Sequence, residues 1–159
     1  MAYPQIATYQ TGFTTSNATS TTITVPSDTQ DKDLLLLFFS KDGTATPTTP
    51  ADWNLLGGGS SGASYFSIYY RKLTGSISDF TVTHASEQTA WIIVRIPLGD
   101  TPVINAITSG TSTAPNSGVL SSGFTAGTET LYLSACGWDS SRSASGYPSG
   151  MSLYNYAAN

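Results

Sequence analysis

The run Leu34-Leu-Leu-Leu-Phe-Phe39 constrains the fold more than any other part of the chain. It lies between Asp33 and Ser40-Lys-Asp-Gly43, and it is far too short for a membrane span. It also carries no helical period. A short apolar run bounded by turn signals predicts a β-strand buried on both faces. Trp91-Ile-Ile-Val-Arg-Ile96 has the same character. Two such strands belong in the middle of a sheet, covered on both sides or lying at a subunit contact.

The remaining segments alternate apolar and polar residues in short stretches. They predict strands over Gln5–Tyr9, Thr21–Val25, Leu34–Ser40, Trp53–Leu56, Tyr65–Leu73, Asp79–Thr83, Trp91–Ile96, Val103–Thr108, Gly118–Phe124, Thr130–Cys136 and Met151–Tyr156. Clusters of Gly, Pro, Asn, Asp and Ser separate them. Gly57-Gly-Gly-Ser-Ser-Gly62 reads as a flexible hairpin loop; no Lys-Ser/Thr follows it and no helix opens after it, so it is not a phosphate cradle. No segment sustains a period of 3.6 with caps, so no long helix is expected. The fold class is all-β: a single jelly-roll-like β-sandwich over residues 1–159, with residues 1–10 as a candidate N-terminal arm.

A weak internal repeat divides the chain into two similar halves. Asp33–Asp42, a Thr/Pro-rich loop and Pro50–Leu55 correspond to Thr130–Asp139, a Ser-rich loop and Pro148–Leu153. Each copy reads as an apolar strand, an Asp-initiated turn, a polar loop, Pro-x-x-large and a strand. The first copy continues into Tyr65–Leu73 and Trp91–Ile96, whereas the second stops near Tyr154–Asn159. The C-terminal edge is therefore expected to be covered by a neighbouring subunit, since bare strand edges aggregate.

Charged residues make up only 10% of the chain, against about 25% in an average domain. Ser and Thr fill the gap at roughly 30%. The surface is thus expected to be coated with hydroxyls, which suits a protein packed in many copies or one that touches sugars. Net charge is −4, and the six cations (Lys32, Lys41, Arg71, Lys72, Arg95 and Arg142) are scattered apart from one adjacent pair. Nucleic-acid grooves and anionic membranes need clustered cations, so neither partner is expected. No signal peptide is visible at Met1-Ala-Tyr-Pro4, which points to synthesis in the cytoplasm.

Candidates for chemistry are few. The single cysteine, Cys136, sits in a strand-like setting and reads as a buried, inert thiol. The single histidine, His84, lies at a strand end, where a surface or capping role is expected, and no Gly-x-Ser-x-Gly elbow accompanies it. Among Asp42, Asp52, Asp79, Glu87, Asp100, Glu129 and Asp139, no spacing selects an acid–base pair. Asp28, Asp31 and Asp33 share a short segment and are weak calcium candidates. Lys32 among them favours a solvated turn instead, and no metal or other cofactor is expected. Trp53 is expected to plug an end of the core. Trp138, Tyr147, Tyr154 and Tyr156 are the candidate ligand or subunit contacts.

The unit Asp33–Gly43, with Thr49-Pro-Ala-Asp-Trp53 and Tyr69-Tyr-Arg-Lys72, resembles small β-sandwich proteins of phage virions. The resemblance spans roughly Asp33 to Ile96. It implies multimeric assembly on a virion and supplies no catalytic residues. The expectation is a non-enzymatic capsid decoration or cement protein. It would pair with itself, a trimer being favoured, and with a major capsid or tail protein. The alternative is a tail or fibre domain that grips host-surface carbohydrate through Trp138 and Tyr147. A polysaccharide hydrolase or lyase lacks a plausible acid–base pair.

Overall fold

The two apolar runs do lie side by side at the heart of a sheet. The structure, a computed structural model, describes residues 4–98 together with Leu131 and Leu133. The strands are β1 (Thr8–Phe13), β2 (Ala18–Ile23), β3 (Leu34–Asp42), β4 (Asn54–Ser61), β5 (Ser64–Lys72), β6 (Phe80–Glu87) and β7 (Thr89–Ile96). Five form one antiparallel sheet in the order β1-β7-β3-β5-β4, and β2 and β6 pair as a second. The protein is all-β, with two sheets packed as a β-sandwich. Among the described residues, no helix is long and apolar enough to cross a membrane. The strands predicted beyond residue 98, and the second copy of the repeat, lie outside the described residues apart from the two leucines.

Alternation along β3 explains how one strand serves two cores. Leu35, Leu37 and Phe39 point inward and meet Ile93 and Trp91 of β7, Tyr69 of β5, Ile23 of β2 and Val82 of β6. These form the layer between the sheets. Leu34 and Leu36 point the other way and join Val94 and Ile96 in a second cluster on the outer face of the large sheet. Each fully buried side chain of this size contributes about 1.5–3 kcal/mol, so these clusters dominate the stability of the fold. Trp53 closes the inner layer beside Phe80, with ring centroids 4.7 Å apart, in line with a core plug.

β2 spans Ala18–Ile23 where Thr21–Val25 was expected, and three other elements also differ from the sequence reading. β1 starts at Thr8 rather than Gln5 and runs on to Phe13. Residues 8–10 of the expected arm are therefore an edge strand paired with β7. None of the β1 side chains is buried, so its apolar signal is weak and main-chain pairing sets its position. The glycine run is not a loop. Residues 57–61 continue β4, and the turn shrinks to Gly62–Ala63. Gly59 pairs with Phe66 and Ser60 with Tyr65, so large neighbours on β5 cover the ground that small β4 side chains leave bare. β6 extends to Glu87, beyond the predicted Thr83, and carries His84 into the sheet.

Candidate functional site

The inner layer is apolar in its middle and polar at both ends of β3. Asp33 stands just before the strand and Lys41 near its close, both buried. At about 3.3 Å per residue they are separated by roughly 26 Å.

At the Asp33 end, Arg95 of β7 reaches two carboxylates. Its Nε donates to Asp33 Oδ2 at 2.6 Å and its Nη1 to Asp28 Oδ2 at 2.7 Å. The turn before β3 closes on the same carboxylate, with the Gln30 amide donating to Asp33 Oδ2 at 2.7 Å. Thr8 of β1 donates to Asp28 Oδ1 at 2.8 Å. These contacts tie the first strand, the 26–33 turn and β7 into one network. The Thr8 hydroxyl and the Arg95 guanidinium hold the Asp28 carboxyl below its ordinary range. Asp33 in turn raises Arg95. The three acids considered for calcium therefore do not converge on a common point. Asp28 and Asp33 accept from Arg95, and Asp31 is exposed. Asp33 is buried at the strand start, which departs from the solvated turn expected for this segment. Among the described residues, no group of three or more His, Cys, Asp or Glu is placed to hold a metal ion.

At the other end, the Lys41 side chain is fully enclosed and donates to Glu87, to the Asp42 carbonyl at 2.7 Å and to the Gly43 carbonyl at 3.2 Å. Three acceptors match the three donors of an ammonium group. Gly43 has φ +70°, and the Glu87 carboxylate occupies the space that a Cβ would need. Directly across from Lys41 on β7 lies Thr89. Its hydroxyl is 2.8 Å from that of Thr21, and Thr21 Oγ1 is 2.8 Å from His84 Nε2. The other ring nitrogen, Nδ1, donates to the Ala85 carbonyl at 2.7 Å. That bond places the proton of a neutral ring on Nδ1 and leaves Nε2 to accept from Thr21.

A hydroxyl donating to an imidazole is the core of a nucleophile–base pair. Here Thr21 is 4% exposed and His84 7%, with Phe39 beside the ring at 5.8 Å, so a substrate has no room to approach. His84 is thus a buried connector, and the surface or capping role expected of it is corrected. The buried ionic groups did have a signal in the sequence: with Leu35, Leu37 and Phe39 facing inward, Lys41 falls on the same face. The same parity along β7, from Trp91 and Ile93, marks Arg95.

A shallow groove of about 340 Å³ runs beside the start of β1, lined by residues 6–10 with Ser27 and Asp28. Trp138, Tyr147, Tyr154 and Tyr156 lie outside the described residues. No family model, curated protein or solved structure matches the chain.

Proposed function

We propose that the chain is a non-enzymatic structural protein of a virion, acting as a capsid decoration or cement subunit that pairs with copies of itself and with a major capsid or tail protein. The observation that carries this reading is the outer face of the β2–β6 sheet. Ser20, Thr22, Thr81 and Thr83 are exposed there, with Thr22 opposite Thr81 and Ser20 opposite Thr83. A face of paired hydroxyls stays wet and places no like charges side by side, so copies can be set close together without repulsion. The ionic groups of the inner layer support the same reading, because Arg95 and Lys41 are spent on internal contacts that stiffen the sandwich. The sequence likeness over Asp33–Ile96 adds the virion context.

Quantitative mass spectrometry of a purified particle tests the proposal. A copy number close to that of the major shell protein is expected. A number far below it moves the chain to a tail or fibre role, and its absence from the particle overturns the virion reading.

A further inference from the structure

The outer face of the five-stranded sheet has a cover to which residues 4–98 contribute, beyond the sheet strands, only Ile6. Leu34, Leu36, Val94 and Ile96 on that face are only 3–5% exposed. β2 and β6 lie on the opposite side, against the inner layer. Phe38, Leu56, Tyr70 and Ile92, which flank the outer cluster, belong to the sheet itself, and Ile6 is only the approach to β1. Among the described residues, the others packed on the cluster are Leu131 and Leu133. They are two positions apart, the spacing at which both side chains of an extended segment face the same surface.

We propose that the outer face is a docking surface for the segment 130–136 of the same chain, seated in cis. Leu131 and Leu133 are its described points of contact. The connecting residues 99–130 reach on the order of 100 Å when extended, well beyond the roughly 30 Å length of β3. A tether of this kind keeps its segment at an effective concentration in the millimolar range, which favours the chain's own segment over that of a second copy. The segment also matches the surface in chemistry: leucines meet Leu, Val and Ile, and no charge lies between Thr130 and Cys136. The inference stands apart from the virion reading.

The test places a diazirine-bearing aliphatic amino acid at position 133 of the full chain and irradiates the purified protein. The expected product runs at monomer size on a denaturing gel, with its cross-links in peptides that contain Leu34–Phe39 or Ile92–Ile96. A dimer-sized product would seat a second copy on the face and overturn the proposal. Cross-links elsewhere in the chain, or a probe quenched only by water, would overturn it too. As a separate readout, Leu133→Asp is expected to lower the thermal midpoint by about 10 °C, whereas Thr22→Asp on the exposed hydroxyl face shifts it by no more than about 2 °C. Equal midpoints for the two variants would count against the docking.

Discussion

Arg95 and Asp33 are 62 residues apart in sequence and 2.6 Å apart in space, and their contact joins the end of β7 to the start of β3. Both are buried, so removing one partner strands the other. Arg95→Met is expected to cost about 3–5 kcal/mol, read from the urea midpoint at constant slope. Arg95→Lys also destabilises, because a single ammonium cannot span Asp33 and Asp28 as the planar fork does. A change within about 0.5 kcal/mol for Arg95→Met would show that the network does not hold the strands together.

Asp28 sets an acid limit. Its carboxyl is held below the ordinary value by Thr8 and Arg95, so the folded state binds its proton less readily than the unfolded chain. The resulting stability is complete above about pH 4 and is lost as pH falls through the lowered folded value. Asp28→Asn is expected to flatten the decline of the melting temperature between about pH 4 and pH 2 relative to the parent. Superimposable profiles for the two proteins would remove Asp28 from the account.

Thr21 links His84 to Thr89. Thr21→Val leaves His84 Nε2 without its partner in a dry interior and leaves the Thr89 hydroxyl only Thr14 at 3.5 Å, at a cost of about 1–3 kcal/mol. Adding His84→Phe removes the stranded imidazole nitrogen, and the double variant is expected to be more stable than the sum of the single ones by at least about 0.5 kcal/mol. Strict additivity in a double-mutant cycle would mean that the two side chains are not coupled.

Gly12 of β1 lies over the indole of Trp91, where a Cβ would stand 2.5 Å from Cζ2. The ring is buried and cannot swing aside freely. Gly12→Ala is therefore expected to destabilise by about 1–3 kcal/mol through overpacking, and Thr11→Ala next to it by less than about 0.5 kcal/mol. Amide exchange should show the loss concentrated in the β1–β7 pairing. Equal effects of the two substitutions would argue against the close approach.

β3 and β7 were legible because both faces of each are apolar, a pattern that a helix or loop has no reason to carry. The β5 and β6 cores followed from alternation. β1 was displaced because Thr-Tyr-Gln-Thr-Gly-Phe offers little apolar contrast and main-chain bonding fixes its place. The glycine run misled for a different reason: its strand character comes from the large side chains of β5, which local propensity does not contain. The polar networks were only half visible. The parity of Lys41 and Arg95 put them on the core face, but the partners Glu87, Asp33 and Asp28 are distant in sequence and only the fold brings them together.

The seating of β1 against β7 also has a consequence for biosynthesis. Thr14 at the end of β1 bonds Thr89, which is made 75 residues later. At about 5–20 residues per second, the first strand leaves the ribosome roughly 4–15 s before its only sheet partner among the described strands exists. During that interval Tyr9 and Phe13 have no sheet to join. The sparse apolar content of β1, which made it hard to read, leaves the nascent chain with little that is sticky while it waits.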